Sequence, residues 1–262
     1  MVSRYHSALV QQLSGGGAGA GAFALDNAIL AASPLGYWKG DEVTGDAIDY
    51  GSVGINGTYG GATRASVLGG DGRSYALYDG ASSPTGIAVA TDTAWGMKNS
   101  GRTMVALVKI DAAITTTKQI MVCGTAGSNP RWTVQIEYSA DTTQYRYSSE
   151  TQRISGLMSR NALVNSGLTV VQRDIWHLVT VAVPTITSHP VIKVNDVAPA
   201  VTNTTSGTPL ESGGPLYWGY SDQTGQRFKG SLAHMAMFDG GLSDAVLTGI
   251  KAAAVADGWV LA

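Results

Sequence analysis

Between Tyr75 and Phe238 the chain is a succession of short apolar-rich runs broken by Gly, Ser, Thr, Asn and Asp, and this punctuation limits the fold more than any other feature. Tyr75 to Tyr78, Gly86 to Ala90, Thr103 to Ile110, Ile120 to Cys123, Trp132 to Tyr138 and Gln144 to Tyr147 are such runs. Trp176 to Val183, Val191 to Val194, Leu216 to Tyr220 and Phe228 to Phe238 follow. Many alternate with a period of two: Trp132, Val134, Ile136 and Tyr138 share one strand face, with Thr133 and Gln135 on the other. Short strands at fairly regular spacing, with no long helices to make crossovers, predict an all-β fold, an antiparallel β-sandwich.

Helical signals flank this region. Phe23 to Ala32 is a short helical patch. At the other end Ser243 can cap a helix whose apolar side is Val246, Leu247 and Ile250. Leu242 before the cap faces Leu247 as a hydrophobic staple, and Gly258 can end the helix. The first residues differ again. Val2, Tyr5, Leu9 and Leu13 recur at helical spacing, but a lone helix of a dozen residues is marginal in water. Gly15 to Gly21 then form a Gly/Ala tether spanning roughly 15 Å by random-coil scaling. We read residues 1–22 as a docking arm and tether, and residues 23–262 as one sandwich domain.

Composition removes several classes of function. A chain of 262 residues can bury a full core without staples. Charged residues are 14% of it and the formal net charge is −2, with no basic run, which argues against nucleic-acid binding. The single cysteine, Cys123, excludes an internal disulfide framework and a thiolate-caged metal. No apolar window is long enough for membrane insertion. Met1 to Leu13 lacks the apolar core of a secretory signal, so the expectation is a protein that does not leave a cell by that route.

Five blocks in order resemble the laminin-G-like, concanavalin-A-like sandwich (jelly-roll) modules. "SPLGYWKGDE" (Ser33 to Glu42) is similar to the family's opening strand, and "INGTY" (Ile55 to Tyr59) to its Asn-Gly turn. "ALYDG" (Ala76 to Gly80) and "DIWHLVTVAV" (Asp174 to Val183) resemble its aromatic-Asp-Gly and Trp-His segments. "RFKGSLAHMAMFDGGLS" (Arg227 to Ser243) resembles its closing strand and helix start. Val194-Asn195-Asp196 departs from the usual Asp-Gly or Asn-Gly hairpin.

Such sandwiches include glycosidases, but the Glu-x-Asp-x-x-Glu strand of the sandwich glucanases is absent. No nucleophile elbow, zincin pair or phosphate loop occurs either, so the chain is read as non-enzymatic, with no catalytic residues. The resemblance implies calcium at the sandwich rim, where Asp41, Glu42, Asp46 and Asp49, with Asp79, are the candidate oxygen donors; no other cofactor is expected. For carbohydrate, which needs aromatic faces beside planar polar groups, the candidates are Trp95, Tyr145, Tyr147, Tyr220 and Asp222.

An arm, a tether and a lectin-like sandwich together resemble bacteriophage virion proteins with laminin-G-like modules. That resemblance implies a virion surface protein, made in the host cytoplasm and mounted through residues 1–22 on other virion proteins. A minor tail or tail-tip position for host attachment through a cell-surface glycan is expected first. A head decoration protein and a free bacterial glycan-binding module are the alternatives, and a homo-oligomer is expected.

Overall fold

The computed structural model describes residues 23–81, 86–92, 94–96, 98, 100–114, 118–124, 131–139, 144–152, 163–165, 173–185, 188, 190–198, 200–202, 214–219 and 227–261. The docking-arm residues Val2, Tyr5, Leu9 and Leu13, the tether, Tyr220 and Asp222 lie outside them.

Chain order begins with α1 (Ala24–Ala31), β1 (Gly36–Trp38), β2 (Gly57–Gly60), β3 (Ala62–Leu68), β4 (Ser74–Asp79) and β5 (Gly86–Asp92). It continues through β6 (Arg102–Ile110), β7 (Lys118–Cys123), β8 (Arg131–Ser139), β9 (Gln144–Gln152), β10 (Leu163–Asn165) and β11 (Trp176–Val183). β12 (Val191–Val194), β13 (Ala200–Thr202), β14 (Gly214–Trp218), β15 (Lys229–Asp239) and α2 (Asp244–Ala256) complete it. Among the described residues a seven-stranded sheet runs β12-β11-β6-β15-β4-β3, with β1 also on β15. A six-stranded sheet runs β2-β5-β14-β7-β8-β9, and β10 pairs with β13. All these strand pairs are antiparallel.

Alternation decides where each side chain goes. Met104, Ala106 and Val108 of β6, Val179 and Val181 of β11, and Met235 and Met237 of β15 face the six-stranded sheet. They meet Ile87, Val89, Met121, Trp132, Val134, Leu216 and Trp218 there, which forms the main core. The intervening residues Val105, Leu107, Trp176, Leu178, Ala236 and Phe238 point the other way and are covered by α1, α2 and Trp259. β11 is therefore buried at every position. Each large aliphatic side chain so enclosed contributes about 1.5–3 kcal/mol.

Local chemistry fixes the connections. Ser243 caps α2 by accepting the Val246 N–H, Leu242 packs with the cluster that contains Leu247, and Gly258 beyond the helix has φ +93°. The buried side of α2 is Leu247, Ile250 and Ala254; Val246, assigned to it from sequence, is 36% exposed because it lies one residue off that stripe. Asn195 and Asp196 both adopt positive φ, 53° and 63°, between bridged Val194 and Val197, as a two-residue type I′ hairpin requires. Asn195 Oδ1 accepts the Leu178 N–H at 2.8 Å, which offsets the conformational cost of a non-glycine pair.

Candidate functional site

The outer face of the six-stranded sheet is assembled by strand register. Thr58 pairs with Ala88, Ala88 with Tyr217, Tyr217 with Val122, and Val122 with Thr133. Gln119 stands directly opposite Gln135 in the neighbouring row. The row descends from exposed Thr58 through half-buried Ala88 and Tyr217 to buried Val122, Thr133, Gln119 and Gln135. Thr133 Oγ1 is buried with no hydrogen-bond partner. A buried hydroxyl so placed costs about 1–3 kcal/mol unless something bonds to it. Two primary amides, a free hydroxyl and a phenol ring are the planar and polar groups that sugar hydroxyls and a sugar face require. The signal for this row was the off-face pair Thr133 and Gln135; Gln119 and Tyr217 join it only through pairing of strands distant in sequence.

The aromatic candidates divide. Trp95 is fully buried, edge-on to Trp38 at 5.4 Å, and its Nε1–H donates to the Ala90 carbonyl, so it belongs to the core and not to a sugar platform. A ring that large gains more by filling the sandwich end than by facing water. Tyr145 and Tyr147 stand opposite Tyr138 and Ile136 in the β8–β9 ladder.

The acidic loop does not converge on a cation. Asp49 accepts the Tyr37, Gly51 and Ile55 N–H groups, and Glu42 accepts the Ile48 N–H and the Tyr59 hydroxyl. Asp41 pairs with Arg73 at 3.0 Å, Asp46 is exposed, and Asp79 accepts the Ala81 N–H. Among the described residues no three His, Cys, Asp or Glu side chains group as metal ligands. In this arrangement Asp49, Glu42 and Asp79 accept backbone N–H groups, and Asp41 is drawn away to Arg73.

A second polar site lies on the opposite side of the molecule, beneath α1. At the bulge between Ala233 and Ala236, β15 exchanges one neighbour for another, pairing with β4 before it and β1 after it. His234, at φ +49° in that bulge, projects into the gap. Its Nδ1 is 2.7 Å from Tyr37 Oη and its Nε2 is 2.9 Å from Tyr75 Oη. Tyr37 donates to Asp26 at 2.5 Å and Tyr75 to Asp71 at 2.6 Å. Arg73 bridges Asp26, Asp41 and Asp71 and lies over the Phe23 ring, while Lys39 pairs with Asp26 at 2.8 Å and lies over Tyr50. Burial alone would raise both carboxyls. Hydrogen bonding to His234 and the charges of Lys39 and Arg73 outweigh it for Asp26, holding it far below the usual range. His234, Tyr75 and Arg73 bring Asp71 down to about 2. Burial and the adjacent carboxylates push both phenols up, so they stay protonated. No local spacing in the sequence marks His234, because its partners are spread from Asp26 to Tyr75.

Two sheets enclosing one core, with a polar row on an outer face, define a concanavalin A-like lectin/glucanase sandwich. The family model described as Concanavalin A-like lectin/glucanases superfamily (Laminin_G_3) matches residues 79–247, more than half of the chain, and the chain belongs to that family. No curated protein sequence matches it. Among solved structures, Trypanosoma rangeli sialidase in complex with 2,3-difluorosialic acid has a TM-score of 0.59 at 14% identity, covering 87% of this chain and 34% of that one. A mutant of the same sialidase displaying trans-sialidase activity has a TM-score of 0.61 at 12% identity, covering 98% and 40%. The ligand binding domain of botulinum neurotoxin serotype D, in complex with N-acetylneuraminic acid, has a TM-score of 0.54 at 10% identity, covering 86% and 52%. The chain thus spans about a third of the sialidase's length and half of the toxin domain's. At these identities the likeness establishes the fold. It also corrects the expectation of a chain without enzymatic activity, since the structures that share this fold include sialidases.

Proposed function

We propose that the chain recognises a glycan on the outer face of its six-stranded sheet, with acidic sugars of the sialic-acid type as the first class to test. The observation that carries this reading is the row ending in Thr133, whose buried hydroxyl has no partner, beside the Gln119–Gln135 pair and Tyr217. Two structures sharing the fold hold sialic acid or its difluoro derivative, which supports the choice of sugar class. A sugar would stack on Tyr217 and place a hydroxyl or carboxylate toward Thr133. The test is a glycan array with sialylated and neutral oligosaccharides, read for retention and for released monosaccharide. Tyr217→Ala is expected to weaken retention at least tenfold, corresponding to loss of about 1.4 kcal/mol. An intact chain that neither retains nor cleaves any glycan overturns the reading.

The sandwich is further proposed to be mounted on a bacteriophage virion, in its tail, through residues 1–22. The support is geometric. Asp257, at the end of α2, accepts the Ala24 and Leu25 N–H groups at 2.8 Å, so the start of α1 is fixed over the outer face of the seven-stranded sheet. The chain before Phe23 therefore joins the sandwich on the side opposite the polar row. Removing residues 1–22 is expected to abolish co-sedimentation with virus particles while leaving glycan retention intact; normal assembly of the shortened chain overturns the mounting.

A further inference from the structure

The cluster beneath α1 contains one proton too few for its hydrogen bonds unless its histidine is charged. Tyr37 Oη lies 2.5 Å from Asp26 Oδ1, and Tyr75 Oη lies 2.6 Å from Asp71 Oδ2. Oxygens that close need a proton between them. Asp26, with Lys39 and Arg73 against it, and Asp71, with Arg73 against it, are ionised, so each tyrosine must be the donor. A phenol has a single proton, and having donated it can only accept from the ring nitrogen on its other side. That holds at Nδ1, 2.7 Å from Tyr37, and at Nε2, 2.9 Å from Tyr75. Both nitrogens then carry hydrogen. The longer approaches of Nδ1 to Asp26 at 3.2 Å and Nε2 to Asp71 at 3.3 Å have the same sense.

We propose that His234 is held as a doubly protonated imidazolium whose two N–H groups, through the Tyr37–Asp26 and Tyr75–Asp71 pairs, lock α1 onto the seven-stranded sheet.

Charge counting agrees. Asp26 comes from α1, Lys39 and Asp41 from the segment after β1, and Asp71 and Arg73 from the turn before β4: three carboxylates against two permanent cations. The imidazolium brings the buried group to neutrality. Tyr50 lies beside Lys39 at the rim, and Trp259, edge-on to the imidazole at 5.6 Å, closes the remaining side without an ionisable group. His234 is 1% exposed, so water cannot supply the missing partner. Arg73 Nη2, a donor only, lies 3.5 Å from Nε2, at the outer limit of a hydrogen bond and well beyond the 2.9 Å approach of Tyr75 Oη. A neutral ring would leave one tyrosine oxygen facing a lone pair, with a net negative charge buried under α1.

The test uses the intact, isotope-labelled chain at neutral pH. Nitrogen NMR of the ring, assigned by the signal missing in His234→Asn, is expected to show two protonated nitrogens with both ring N–H protons slow to exchange. One nitrogen at a lone-pair shift overturns the proposal, and this arm needs no variant to fold beyond the assignment. Amide exchange provides the second arm. In Tyr37→Phe and Tyr75→Phe the amides of α1 are expected to exchange at least tenfold faster, with those of β8 unchanged. Unchanged protection of α1 in both variants overturns the locking role.

Discussion

At the scale of single residues, burial sets the chemistry of groups that look ordinary in sequence. Burial pulls His177 down to about 4, in the interior between the sheets opposite Val108. The folded protein keeps it neutral while the unfolded chain takes up a proton below about pH 6.5. Stability is therefore expected to fall as pH drops from about 6.5 to 4, by about 3 kcal/mol in all. Urea titrations across that range check it, and His177→Leu should flatten the slope. Cys123 is buried and burial pushes its thiol up to about 12. A thiol reagent is expected to label it only at the rate of unfolding, so rapid labelling of the native protein would contradict the packing. Trp95 shows why residue identity alone misplaces a site. A tryptophan beside loop residues reads as a sugar platform, and its contact with Trp38 exists only once two separate segments meet.

At the scale of elements, most strands were legible and some were not. β11 and β12 follow the apolar runs Trp176 to Val183 and Val191 to Val194 exactly as read. β14 stops at Trp218, short of the expected Tyr220, because Gly219 at φ +72° turns the chain. β9 runs on to Gln152, past Tyr147, on ladder bonds to β8 that its polar residues do not advertise. β2 and β3 were missed altogether; they are Gly-, Thr- and Ser-containing edge strands, and the alternation of β3 is broken by a bulge at Ala65. The two helices depend on each other. Asp257→Ala removes the acceptor for two α1 N–H groups and is expected to cost about 1–2 kcal/mol, read as faster amide exchange in α1 than in β6.

At the scale of the molecule, the seven-stranded sheet is covered on both faces, by its partner sheet and by the helices, and below about pH 4 acid should weaken the second covering. The Asp26 and Asp71 carboxyls lie below their usual range in the folded state. They contribute stability that is complete above about pH 4 and is lost as pH falls through it toward 2. Between about pH 4 and 2 loss of α1 contacts is thus expected, seen as exposure of Trp176 and Trp259, and Asp71→Asn should remove that pH dependence. Period-two alternation and capping residues, being local, determined from sequence alone that the chain is an antiparallel sandwich and that Ser243 caps its closing helix. Tertiary structure alone decided that Asp49 and Glu42 accept backbone N–H groups, that Gln119, Thr133 and Tyr217 share one face, and that His234 sits between two tyrosine–aspartate pairs. Each of those depends on strand register or on contacts between residues far apart in the chain, and no local pattern encodes which distant segment a side chain will meet.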